Sequence, residues 1–264
     1  RRLFFLVPAW FLICHSVEST LLPLEQVYEH RNYLALFGPC LLVAAGLWLI
    51  GGADNYAQRW ILTSLILLLV SGLLLSRTNV WRSEEQFSAY HLHRHPLSVR
   101  SNYHYANTQL RLAEASAKPD EAQAKLLLSR EYYLNVLNLS PGSFAALVSL
   151  LYLDERYFSS YESARWLDEI NSELLSNQRM LREDAWALAL LLRCQLEGYC
   201  NIDPQELEQT FARAAEVGQA DPIYADLWAV YLGLGLGELK QAREIHLNLS
   251  QRFPDYDAAH IGLA

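Results

Sequence analysis

No run of basic residues interrupts this sequence. Lys and Arg number 21 against 29 Asp and Glu, for a net charge of -8. Neutralising a nucleic-acid backbone takes clustered Lys and Arg, so nucleic acid is not an expected partner. Glycine and proline are sparse, 12 and 9 in 264 residues, and no segment has the composition of disorder. A phosphate-cradling P-loop, a dinucleotide glycine fingerprint, a nucleophile elbow and a paired-cysteine zinc motif are all missing. Soluble enzymatic chemistry is therefore not expected, and no cofactor is evident. Beyond residue 83 no strand-like alternation competes with helical spacing.

What is present is unevenly placed. Apolar residues make up 52%, an ordinary share, yet the long apolar runs lie before residue 77 and most of the charge after it. That asymmetry predicts a membrane part and a water-facing part. Three runs stand out: Leu3 to Cys14, Tyr33 to Ile50 and Trp60 to Leu75. The second and third hold no charged residue. The first is short for a span, which needs about 20 residues, and with Arg1-Arg2 ahead of it resembles a signal peptide. A cleavage site does not follow, since Ser16-Val17-Glu18 is a poor one. We expect an interior start within a longer polytopic protein, because the first residue is not Met and the last residues open a new repeat. The predicted organisation is a membrane region with about three transmembrane helices over 1–76, a connecting segment over 77–96 and a helical repeat domain over 97–264.

Alternation then predicts topology. With Arg1-Arg2 cytoplasmic, residues 16–31 face outside, the turn around Asp54 and Arg59 faces the cytoplasm, and everything after residue 76 faces outside. Glu18, Glu25 and Glu29 against one Arg suit an outer loop. Arg77 and Arg82 fall on the wrong side for the positive-inside rule. Trp10, Trp48, Trp60 and Trp81 lie near the predicted boundaries, as an aromatic belt does. Cys14 and Cys40 sit in apolar stretches as small hydrophobes. Cys194 and Cys200, in RCQLEGYC, can form a local disulfide if a helix stops near Gly198, which requires an oxidising compartment. The alternative is two separate thiols.

From residue 83 apolar residues recur at three- and four-residue spacing. Helices are predicted near 83–95, 98–116, 120–139, 143–157, 161–177, 181–197, 204–217, 221–235, 238–252 and from 255. Pro96, Pro119, Pro141, Pro204, Gly218, Pro222, Gly237 and Pro254 punctuate the joins. Residues 223–254 match a tetratricopeptide unit, two antiparallel helices in about 34 residues: Ala225 and Ala242 take the small positions, Gly237 the turn and Pro254 the stop. Pro96 with Ser101, Tyr105 and Ala106 opens a similar unit, while Pro96 to Pro141 is longer than the standard one. The fold class predicted is all-α, transmembrane helices followed by a tetratricopeptide-like α-solenoid.

One loop carries a resemblance. Residues 17–38, VESTLLPLEQVYEHRNYLALFG, place Glu18, Ser19, Thr20, Pro23, Glu29, His30, Arg31, Tyr33, Leu34 and Gly38 in a pattern that resembles polytopic membrane proteins ending in tetratricopeptide repeats. These include the transmembrane-and-TPR O-mannosyltransferases of the GT-C kind. The step SRTNVW resembles their entry into the first repeat, with Arg77, Asn79 and Trp81 in place and Thr78 inserted. The resemblance covers roughly residues 16–110. It implies sugar transfer from a lipid-phosphate-linked donor on the non-cytoplasmic face, with repeats that hold a protein or glycan partner and a bacterial inner-membrane location with the repeats periplasmic. The acidic catalytic loop of that family has no counterpart here, so no catalytic base is assigned. Membrane lipid is the other expected partner.

Within that loop Arg31 offers a fork of donors and His30 one more, a set suited to a lipid-linked phosphate. The plainer reading of Glu29, His30 and Arg31 is an interfacial charge cluster that orients a helix, and Glu18 fits loop structuring. His91, His93 and His95 alternate in YHLHRHP. Two-residue spacing on a helix does not bring all three to one face, so no metal site is expected. Asn138 and Asn248 open glycosylation sequons, which carry no meaning in a bacterium.

Overall fold

In the computed structural model, residues 2–19, 32–50, 56–158, 162–176, 180–258 and 262 are described, and the secondary structure among them is entirely helical. The chain divides into two compact units, residues 1–79 and 80–264.

In the first unit α1 spans Arg2–Ser19, α2 Asn32–Ile50 and α3 Tyr56–Val80. Among the described residues α3 alone is long and apolar enough to cross a membrane, and none of its residues is buried. The apolar stretches Phe5–Cys14 and Leu34–Leu49 of α1 and α2 are shorter, so one such helix stands where about three were expected. Helices α1 and α2 pair through small residues. A methyl group added at Gly38 would lie 3.3 Å from the side chains of both Val7 and Trp10, and Ala35 is buried beside them. Small residues at a crossing let the two backbones approach closely. The Trp10 indole donates to the Leu34 carbonyl at 2.8 Å. Pro39 lies inside α2, where its missing N–H interrupts the helical ladder.

The second unit holds α4 (Glu84–Arg94), α5 (Val99–Ala115), α6 (Pro119–Leu139), α7 (Phe144–Leu153), α8 (Ser163–Ser176), α9 (Arg182–Leu196), α10 (Pro204–Val217), α11 (Pro222–Val230) and α12 (Leu239–Arg252). The prolines mark starts for a physical reason: the first helical N–H has no partner to lose. Pro119, Pro204 and Pro222 occupy first turns. Asp203 and Asp221 cap the latter two, accepting from the backbone N–H groups of Glu206 and Ile223 at 3.0 and 3.1 Å. The Pro96 opening is tied down by Asn102, whose amide donates to the carbonyls of Pro96 and Ser98 at 2.8 and 2.9 Å.

Helix α5 packs on α4 and α6, α7 on α6, α8 and α9, and α11 on α10 and α12, and small residues mark two of the crossings. Ala106 and Ser129 are fully buried where α5 meets α6, and the Ser129 hydroxyl donates to the Ala106 carbonyl at 2.9 Å. Between α11 and α12 a small cluster buries Ala229, Leu232 and Ala242. The sequence pattern gave the first-helix position to Ala225, which is only half-buried; Ala229, one turn on, makes the close contact.

Helix α7 forms the centre of the core, with all ten residues buried. It ends in a π-turn, Asp154–Phe158, and α11 ends in another, Tyr231–Gly235. Each widens the helix by one residue per turn and re-aims the side chains that follow. Asp154 in the first π-turn is fully buried. It accepts from Arg130 Nε of α6 at 2.9 Å and from the Trp166 indole of α8 at 2.8 Å, so one carboxylate joins three helices. Arg130 also pairs with Glu162.

Candidate functional site

Of the residues singled out in the early loop, Glu29, His30 and Arg31 lie outside the described residues. Glu18, expected in the loop, falls in the last turn of α1, because that helix runs five residues beyond the apolar run, to Ser19. The site is therefore built from the second unit.

Cys194 and Cys200 are joined, with an S–S distance of 2.07 Å. Helix α9 stops at Leu196 and Gly198 takes φ +75°, a left-handed conformation that suits glycine. The turn is closed by the N–H groups of Tyr199 and Cys200, which donate to the Cys194 carbonyl at 3.0 and 3.2 Å. This turn lies against the first π-turn: the Asn201 N–H donates to Glu155 Oε2 at 3.0 Å, and the Arg156 guanidinium stacks over the Tyr199 ring at 4.5 Å.

Arg156 is the hub of a polar aromatic cluster. It donates to the Tyr152 hydroxyl at 2.9 Å and also faces the Tyr157 ring at 5.2 Å. The hydroxyls of Tyr152 and Tyr157 both donate to Glu114 Oε1 of α5. Burial, together with this carboxylate, raises the pKa of both phenols, so they stay protonated donors. Rings, one cation and one carboxylate thus form a cross-braced polar cluster between α5, the π-turn of α7 and the disulfide turn. Its members are spread over residues 114–199, which no motif window spans.

A groove of about 360 Å3 runs between α10 and α12 over α11. Its floor includes Ala215, Ala225, Trp228 and Leu249; Glu216, Asp221 and Glu244 give it acidic edges, and Gln241 and Asn248 offer amides that both donate and accept. Trp228 is fixed by an indole hydrogen bond to Glu208 Oε1 at 3.2 Å. Outside the groove, Asp226 ties α11 to α12 and to the segment beyond it: it takes His246 Nε2 on one oxygen and the Tyr256 hydroxyl on the other, each at 3.1 Å.

The alternating histidines are split. His91 packs edge-on to Phe87, with ring centres 4.4 Å apart. His104, from the next helix, meets the same phenylalanine at 5.7 Å. Burial and nearby Arg100 push the His104 pKa down, which keeps it neutral in this aromatic cluster. Trp81 stacks on Phe87 at 4.5 Å, so the tryptophan of the entry step opens the helical array's packing. Among the described residues no group of three or more His, Cys, Asp or Glu is arranged to hold a metal.

No protein-family model matches this sequence, and no curated protein matches it. The functional reading rests on the residues themselves.

Proposed function

We propose that the chain is the membrane-anchored recognition part of a lipid-linked sugar transferase of the GT-C kind. In this reading α3 spans the membrane, α1 and α2 form a helical hairpin within it, and α5–α12 are tetratricopeptide-like pairs on the non-cytoplasmic side. The groove over α11 holds an extended segment of the acceptor polypeptide, whose backbone groups meet Gln241 and Asn248. Glu29, His30 and Arg31 sit beside the donor phosphate.

The observation that carries this reading is an order of elements. A 25-residue apolar helix with no buried residue leads into a helical array that contains a disulfide. A bridge persists only in an oxidising compartment, which supports an array outside the cytoplasm behind a membrane anchor. The sugar-transfer half is supported by the resemblance of residues 17–38 and 77–81.

Arg31→Ala in the membrane-embedded protein, at normal expression, tests the chemistry. Loss of donor-lipid binding and of glycan transfer is expected. Unchanged binding and transfer would leave a tethered scaffold that recruits partners to a membrane complex and carries no sugar chemistry.

A further inference from the structure

We propose that the groove over α11 selects an acceptor segment carrying a basic residue, and seats that Lys or Arg side chain on the Trp228 ring. This deepens the reading of the groove as the acceptor's seat and rests on it. The groove's charge is one-sided: Glu216 of α10, Asp221 ahead of α11 and Glu244 of α12 line it, against Arg252 alone. Arg213, Lys240 and Arg243 belong to the same helices but do not line it. The chain beyond α12 packs on Asp226 through Tyr256 and on His246 through Gly262, and neither Asp226 nor His246 lines the groove.

The charge is also sorted along the groove. Ala229 and Ala242 pack in one cluster, with Trp228 and Ile245 against it, so Trp228 lies at the end of α12 that carries Gln241 and Glu244. Arg252 follows in the last turn of that helix, about 12 Å beyond Glu244, with its guanidinium 5.3 Å from the centre of the Phe253 ring. The indole N–H of Trp228 is taken by Glu208 Oε1 at 3.2 Å. What this half-buried side chain still offers a ligand is its ring face, and the negative face of an indole attracts a cation. Glu208 and Glu244 add two carboxylates to that end.

That combination selects the ligand. An acidic segment meets three carboxylates and is repelled. A wholly apolar one covers Ala215, Ala225 and Leu249 but leaves the pull of the ring and the carboxylates unused. A metal ion finds no cage, because among the described residues no group of three His, Cys, Asp or Glu is arranged to hold one. A basic side chain lays its apolar stem along the floor and its charged head over Trp228. The backbone that carries it pairs with the amides of Gln241 and Asn248.

The test is binding of fluorescent peptide pools to the full chain in nonionic detergent micelles, followed by anisotropy. Each pool has mixed uncharged flanks and a fixed central Arg, Gln or Glu. The wild-type protein is expected to bind the Arg pool about tenfold more tightly than the Gln pool, and the Glu pool most weakly. Glu244→Lys, at an exposed position, abolishes that preference, and Glu244→Gln reduces it. Asp168→Asn, the same loss of charge at an exposed position of α8, leaves it intact. Equal binding of the Arg and Gln pools by the wild type would overturn the proposal. So would a preference that survives Glu244→Lys, or one that Asp168→Asn lowers as much as Glu244→Gln does, since that would reflect only the chain's overall negative charge. Asn248→Ala separates the two readings. Equal binding of the pools that Asn248→Ala weakens leaves the groove as the acceptor's seat and removes only its choice of a basic residue. No binding of any pool, or binding that Asn248→Ala leaves unchanged, removes both.

Discussion

The guanidinium of Arg156 lies 4.5 Å above the ring of Tyr199. Tyr199 is the residue directly before the second cysteine of the bridge, so the disulfide holds one partner of this stack and the π-turn of α7 aims the other. The bridge thereby fixes the geometry of this cation–ring stack.

Replacing both Cys194 and Cys200 by Ser is expected to cost about 2 kcal/mol, the loop-closure contribution of so short a ring. Loss of the stack adds to it: Tyr199→Ala in the oxidised protein should cost about 1 kcal/mol more than a surface substitution. Denaturant titration of the detergent-solubilised protein measures both. Equal stability of the wild type with and without reductant would show that the bridge constrains nothing.

Asp154→Asn removes the charge from a buried carboxylate that serves Arg130 and Trp166 together. A loss of about 2–3 kcal/mol is expected, less than for a fully sequestered pair because Arg130 keeps Glu162. Adding Arg130→Met to Asp154→Asn should cost less than Arg130→Met alone, since the two residues act as one unit. Strict additivity would mean that they do not.

Asp184 gives the fold a specific pH dependence. Burial, aided by the charges of Glu183 and Glu173, raises its carboxyl from 3.8 to about 6, although its hydrogen bond from the Leu181 N–H opposes the shift. Between about pH 4 and 6 the folded protein keeps a proton that the unfolded chain has released. This contribution to stability is therefore full at the acid end and lost as pH rises through about 6, by at most about 3 kcal/mol. Asp184→Asn keeps an oxygen for the Leu181 N–H and cannot ionise. Relative to the wild type it should gain stability as pH rises from 4.5 to 7.5. Parallel profiles of Tm against pH would contradict the assignment.

Gly218→Ala should destabilise by about 2 kcal/mol, because the new methyl would fall 2.3 Å from Tyr224 Cδ2. That ring cannot swing away without breaking the hydrogen bond of its hydroxyl to the Leu181 carbonyl. Gly72→Ala, inside α3 with nothing within 4 Å, should stabilise by up to about 1 kcal/mol, because alanine loses less backbone entropy in a helix, and serves as the contrast.

These residues also show what was readable in advance. The helix boundaries were, because Pro119, Pro204 and Pro222 and the caps Asp203 and Asp221 act within one turn of the chain. The two π-turns were not: Tyr231 continues the apolar spacing of α11, Asp154 reads as an ordinary polar residue at the end of α7, and only tertiary partners such as Arg130 show that it is buried where the helix widens. Ala225 and Ala229 are alike in a pattern search, and packing against Ala242 decides between them. Helix α1 outran its apolar run because Glu18 and Ser19 extend a helix as readily as they open a loop. The acidic and basic residues of the early loop form a pattern in sequence alone, and Glu29, His30 and Arg31 lie outside the described residues.

The account stands or falls on which side of the membrane the helical array lies. Trypsin added to the outside of intact spheroplasts, with an antibody to the array as readout, tests this directly. Cleavage of the array without detergent, with a cytoplasmic marker left intact, is the predicted result. Protection until the membrane is dissolved would place the array in the cytoplasm and contradict the account.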